Sequence, residues 1–284
     1  MGLHDMQAIN QAIKKGLRAI PPASDLIRKT RRQGHVAMFH VGRSGSTVVS
    51  DLLNQHPAIE WKKEIYQRLL EERQVTDPTL SNLDDLDALD YAVEQSEDSF
   101  ARFFGYEVKF FHLRKLGIDL RSYLDNIENE LFNLKYVVLR RQNMLRVIAS
   151  TAAAHQRGQW FVENSSTPDS EIKRPITIDT NAIPMNRSFF PLMHLLDEAE
   201  RDFDILDGLM EYRPSLFLTY EDDVRADPTN AYARICDHIG ITPMPAQIKR
   251  RRTNPEPLSN MIANYNEVSA LLRGTSYEWM LTED

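Results

Sequence analysis

The hexapeptide Gly42-Arg43-Ser44-Gly45-Ser46-Thr47 is the stretch of this sequence with the clearest chemistry. It follows an apolar run and is followed at once by Val48, Val49, Leu52 and Leu53 at helical spacing. Glycines let such a turn bend so that several backbone N–H groups converge, and the positive end of the following helix adds to the attraction for an anion. Ser46 and Thr47 offer hydroxyls, and Arg43 offers a planar fork that matches phosphate or sulfate oxygens. Gly42, Arg43, Ser44, Gly45, Ser46 and Thr47 are therefore candidate anion ligands. An ordinary Gly-Ser turn is the plain alternative. The run is not GxxxxGK[ST], because Ser46 and not lysine follows Gly45, which demotes an ATP or GTP hydrolase.

Further along, Arg140-Arg141 precedes Ser150, and a basic run spans Lys249, Arg250, Arg251 and Arg252. Arg31-Arg32 forms another basic cluster. Taken singly, such clusters are more often solvated faces than sites. Two side chains could move a proton. Glu64 lies in HPAIEWKKEIYQ, beside Lys62 and Lys63, where the plain alternative is an amphipathic surface helix. His112 follows a strand-like run in VKFFHLR, and an unperturbed imidazole suits proton transfer near neutral pH. Lys109, in the same run, is either close to the anion or merely part of a sheet.

Positioning these residues requires elements that bring distant segments together. Short β-rich runs at His35–Val41, Tyr106–Phe111, Lys135–Leu139 and Ser215–Thr219 alternate with helical patterns at Ser46–Asn54, Ile118–Phe132, Asn143–His155, Pro191–Tyr212 and Thr229–Ile239. This rhythm predicts an α/β fold with a central parallel sheet flanked by helices, a three-layer sandwich whose strand ends gather the functional residues on one edge. Gly240 predicts the stop of the last helix. Asp77–Asp98 is acidic and reads as a solvated helical insertion or lid. Gly158–Arg187, rich in Pro, Ser, Thr and Asn, reads as a long loop beside the site. One domain over residues 1–284, with insertions at 75–99 and 158–187, is the simplest account.

With 42% hydrophobic residues, 284 residues suffice for a sizeable core. The net charge of −7 argues against a nucleic-acid surface, so an anionic ligand must meet locally concentrated arginines. A single cysteine, Cys236, excludes an intrachain disulfide and a cysteine-rich zinc site. Charges interrupt the apolar residues of Met1–Ile20, and no run approaches a membrane span, so the expected protein is soluble and cytoplasmic.

VGRSGSTVVSDLLNQHP, YVVLRRQNMLRVIAS and LFLTYEDDVRADPTNAYARICDHIGI together resemble the family of sulfotransferases that use 3'-phosphoadenosine 5'-phosphosulfate (PAPS), particularly its bacterial carbohydrate-type and tyrosylprotein branches. The resemblance extends through KRRRTNPEPLSNMIANYNEVSALLRGTSYEWML and so covers most of the chain. It implies a P-loop-like fold, with the first loop on the 5'-phosphosulfate and Arg140 or Arg141, with Ser150, on the 3'-phosphate. It also implies a C-terminal segment folding back over the nucleotide, with Arg250, Arg251 and Arg252 in reach, and an architectural role for Tyr220-Glu221-Asp222. Glu64 matches the catalytic glutamate of these branches, with Arg43 assisting. His112 is the competing base, by likeness to branches with a histidine after the equivalent strand. The implied activity is sulfuryl transfer from PAPS to a hydroxyl or amine of a carbohydrate or other small acceptor, with no metal required and adenosine 3',5'-bisphosphate as product. A P-loop-like kinase and a non-catalytic nucleotide-binding module are the rivals.

Overall fold

The computed structural model describes residues 31–72, 85–158, 174–185, 188–250 and 252–282. In chain order the elements are β1 (Gly34–His40), α1 (Ser46–Leu53), β2 (Ile59–Glu64), α2 (Ile65–Glu72), α3 (Asp85–Glu97), β3 (Phe103–Lys109), α4 (Phe110–Leu116), α5 (Leu120–Glu130), β4 (Leu134–Arg140), α6 (Met144–Arg157), β5 (Ile183–Met185), β6 (Ser188–Phe190), α7 (Leu192–Met210), β7 (Ser215–Thr219), α8 (Pro228–Ile239), α9 (Leu258–Met261) and α10 (Tyr265–Leu272). Strands β2-β3-β1-β4-β7 form a parallel five-stranded sheet in that order, and β5 and β6 form a separate antiparallel pair. This is the α/β sandwich that the alternating rhythm predicts.

Strand β1 occupies the middle and is buried along its whole length, which is why its sequence is an apolar run rather than an alternating one. Its odd and even residues serve different layers. Ala37 and Phe39 join Phe104, Tyr106 and Tyr136 in the core beneath α2, α3, α4 and α5, whereas Val36 and Met38 join Val137, Leu139 and Leu218 beneath α1 and α8. A third core lies beyond the sheet, where α6 packs with the start of α7, with Ile176, Ile178 and Ile183, and with the C-terminal helices.

The five expected helices form within two residues of their predicted ends, and local chemistry sets those ends. Asn143 and Asp227 accept from backbone N–H groups in the first turns of α6 and α8, and Gly240 closes α8 in a left-handed conformation. Three expectations change. Strand β3 begins earlier, at Phe103, and ends at Lys109, so Phe110 and Phe111 open a helix rather than finish the strand. Ile59–Glu64 is an edge strand and not a surface helix: Ile59 and Trp61 face the core, Glu60, Lys62 and Glu64 stay partly exposed, and Lys63 is exposed. Finally, Asp85–Glu97 is helical but not simply solvated, because Ala88, Leu89 and Ala92 are buried in the first core. Residues 77–84 of that acidic stretch, and 159–173 and 186–187 of the expected long loop, lie outside the described residues. Among the described residues no helix is long and apolar enough to cross a membrane.

Edge strand β2 is fitted to β3 by one close approach. A Cβ at Gly105 would lie 2.1 Å from Trp61 Cε3, so the indole rests directly on the glycine. Gly105→Ala is therefore expected to destabilise the protein by about 1–3 kcal/mol through overpacking, read as a lower denaturant midpoint at constant slope. A wild-type midpoint would show that Trp61 yields freely.

Candidate active site

All parallel strands release their chains at one edge of the sheet, and the loop after β1 lies at its centre. Gly42, Arg43 and Gly45 have φ of 84°, 50° and 86°. Gly45 has a second constraint, since a Cβ there would lie 2.7 Å from Val224 Cγ1. The turn is held from below: Gly42 N–H donates to His40 Nδ1 at 3.0 Å. The His40 proton must therefore sit on Nε2, which lies 2.9 Å from Glu107 Oε2. Trp61 Nε1 donates to the other Glu107 oxygen at 3.3 Å. Burial works to raise the Glu107 carboxyl, but His40, Lys109 and Trp61 outweigh it and the net shift is downward, so the buried group is ionised.

Above this loop lies a first cleft of about 300 Å³. Six arginines line it, Arg43, Arg141, Arg146, Arg225, Arg250 and Arg252, and no carboxylate does among the described residues. Arg43 Nε donates to Ser150 Oγ at 2.9 Å, and Arg141 donates to the Arg43 carbonyl at 2.9 Å while stacking over the Tyr220 ring at 4.3 Å. Residues that the sequence assigned to two separate candidate subsites thus line one cleft. Burial and the nearby Arg141 push the Arg43 guanidinium down to about 10, and burial, Arg141 and Arg252 do the same to Arg146. Arg141 is likewise lowered, chiefly by burial. All three stay charged at neutral pH, so the cleft concentrates positive charge in a partly dehydrated space.

The C-terminal segment closes this cleft. Asn254 donates to Ser150 Oγ at 3.0 Å, and Arg146 donates to the Glu256 carbonyl at 2.6 Å. Arg250 lines the cleft while its Nε donates to Asp51. Arg251 lies outside the described residues. Val48, Val224, Pro228 and Ile248 add apolar lining.

A second cleft, of about 530 Å³, opens on the other side of the loop and shares Arg43, Ser46 and Thr47 with the first. Glu64 and Lys109 stand at this junction, with Lys109 Nζ 2.6 Å from Glu64 Oε1. The same ammonium would lie 3.5 Å from a Cβ at Gly42, so Lys109 bridges the carboxylate and the loop after β1. Ligand atoms of His40, Glu64 and Glu107 fall within 4.8 Å of one another, a metal-like grouping, but Lys109 already places a cation on Glu64.

Three residues singled out from the sequence, Ser44, Arg140 and His112, line neither cleft. Arg140 stacks on Phe203 at 4.3 Å and reaches Asp207 at 3.4 Å, and it lines neither cleft. As the last residue of β4 it projects toward α7, whereas Arg141, one residue on, turns into the cleft. His112 is fully buried, with Nε2 3.2 Å from Gln67 Oε1 and 3.8 Å from Glu64. Burial, followed by Lys109, drives its pKa well below the usual histidine value, and it lines neither cleft. Ser44 is buried beneath the turn, so of the loop residues Gly42, Arg43, Gly45, Ser46 and Thr47 face a cleft. Arg32 donates to the carbonyls of Ser96, Ser99 and Ala101 and serves the fold.

Sequence reasoning passed over Arg225 and Asn254, and it read Tyr220-Glu221-Asp222 as architectural. Glu221 does brace the chain after β4 by accepting from Gln142 and Asn143 N–H, but Tyr220 also forms the floor under Arg141. A tyrosine at a strand end, next to an acidic turn, carried no anion-site signal by itself.

No family model matches this sequence, and no curated protein does. Among solved structures, the crystal structure of a sulfotransferase from Alicyclobacillus acidocaldarius is similar over 89% of this chain and 97% of its own, at 14% identity and a TM-score of 0.47.

Proposed function

We propose that the chain transfers the sulfuryl group of PAPS to a hydroxyl or amine of a small acceptor. The observation that carries this reading is the pair of clefts meeting at Arg43, Ser46 and Thr47, one lined by arginines and the other ending at a carboxylate. A donor with two anionic ends suits the first cleft. Arg43, the loop N–H groups, Ser46 and Thr47 would take the 5'-phosphosulfate; Arg141, Ser150 and Arg252 would take the 3'-phosphate; and the Val48–Val224–Ile248 lining would take the base.

In this reading the acceptor oxygen attacks sulfur from the second cleft as the bond from sulfur to the 5'-phosphate oxygen breaks. The acceptor proton passes to Glu64, and the electron pair of the broken bond stays on the phosphate oxygen. Arg43, the loop N–H groups and Lys109 stabilise that growing charge, which lets fixed cations do the electrostatic work. Lys109 thus joins the site as a group that touches both base and leaving group.

Calorimetry with adenosine 3',5'-bisphosphate, adenosine 5'-phosphate and ATP with magnesium tests the donor site, and turnover of PAPS over an acceptor panel tests the chemistry. Tightest binding of the bisphosphate is expected. A preference for ATP with magnesium would favour a kinase, and bisphosphate binding without turnover would favour a non-catalytic module. Arg140→Ala is expected to leave bisphosphate affinity within about twofold of wild type, as a partly exposed residue outside the cleft should. A larger loss would return Arg140 to the site.

A further inference from the structure

The second cleft differs from the first in what its walls can still bond. Away from the loop they are carbon-rich: Phe110 and Phe111 on α4, Met144 and Ile148 on α6, and Leu195 and Ala199 on α7. Seven polar side chains also line it away from the junction, the exposed His155 among them, and each has a partner within the protein. Arg114 makes a bidentate pair with Asp202, at 2.8 and 2.6 Å, and lies 3.4 Å from Glu198. Thr151 donates its hydroxyl proton to its own helix at Val147, at 2.8 Å. Gln67 meets His112, and Lys115 lies 5.7 Å from the Phe111 ring centre. Among the described residues, polar atoms with a direct task toward a ligand therefore concentrate at the junction, at Glu64, Lys109, Arg43, Ser46 and Thr47.

A polyhydroxylated ring placed here would surrender its water bonds against carbon, and each unreplaced bond is unfavourable. A molecule with an apolar body and a polar group at one end loses nothing comparable, and it gains the burial of its carbon surface. We propose that this cleft selects an acceptor with an apolar body and a single hydroxyl presented to Glu64, and disfavours sugars. The proposal rests on the sulfuryl-transfer reading for the hydroxyl's role, but the binding preference stands on the cleft walls alone.

The test is calorimetric titration of the full chain with 2-naphthol and with methyl β-glucoside, each with and without saturating adenosine 3',5'-bisphosphate. Two variants map the site: Ala199→Trp fills the α7 wall, and Met185→Gln makes a half-buried wall residue polar at similar length. 2-Naphthol is expected to bind wild type with glucoside binding undetectable, and Ala199→Trp to weaken naphthol roughly tenfold or more, on the scale of hydrophobic-pocket discrimination. Met185→Gln is expected to weaken naphthol by a smaller factor, which keeps the site mapped should Ala199→Trp fail to fold. Bisphosphate affinity should be unchanged in both. Absence of naphthol binding, glucoside binding as tight as naphthol, or naphthol binding untouched in both folded variants would overturn the proposal. Failure of the sulfuryl-transfer reading shows separately, as loss of bisphosphate binding or as bound naphthol that PAPS never modifies.

Discussion

Glu64→Gln is expected to slow a single turnover of PAPS by roughly 10²–10⁴-fold while leaving affinity for adenosine 3',5'-bisphosphate within about twofold. Glutamine keeps the length and shape of the side chain but cannot take the acceptor's proton. It can still accept a hydrogen bond from Lys109, so the ammonium that reaches the loop keeps a partner. Glu64 is 30% exposed and lines the second cleft, which leaves it open to a small molecule there. His112 supplies the contrast. At 0% exposure it has no path to a substrate, so His112→Ala is expected to lower stability through a cavity and the lost Gln67 contact, with a much smaller effect on the chemical step. Near-normal single-turnover rates in Glu64→Gln, together with their loss in folded His112→Ala, would exchange the two assignments.

The largest expected loss of donor affinity is in Arg141→Ala. Its guanidinium is buried between the Arg43 carbonyl and the Tyr220 ring, so truncation removes a charge from the cleft and a brace from the loop together. A charge-assisted bond is worth about 1.5–3 kcal/mol, roughly 10- to 100-fold in Kd for the bisphosphate. The preference for adenosine 3',5'-bisphosphate over adenosine 5'-phosphate should shrink by a comparable factor. Arg141→Lys is expected to recover little, because an ammonium lacks the planar face that stacks on Tyr220 and the fork that spans two acceptors. An unchanged preference in either variant would move the 3'-phosphate elsewhere in the arginine cluster. Partial loss in both, with Arg252→Ala behaving alike, would mean that the cluster binds as a diffuse positive surface.

The turn between β1 and α1 was legible because its geometry is local. A glycine-containing turn between an apolar strand and a helix start is written in neighbouring residues whatever the rest of the chain does, and 42–47 forms such a turn, with positive φ at Gly42, Arg43 and Gly45. The parallel sheet was legible for a similar reason, since buried strands write themselves as apolar runs. The charged edge strand β2 escaped notice because one of its faces meets solvent and its alternation spans only Ile59 and Trp61. Direction was decided by tertiary structure. Adjacent residues at a strand end point to opposite sides, so which of Arg140 and Arg141 enters the cleft depends on how β4 lies against β1 and β7. The meeting of Glu64 with Lys109 depends on more still. The β2–β3 register shifts between Lys62 and Glu64, so that Glu64 pairs with Glu107 and its carboxylate reaches the Lys109 ammonium. Side-chain facing reverses with every one-residue slip, and only the pairing of two strands more than forty residues apart in sequence fixes it.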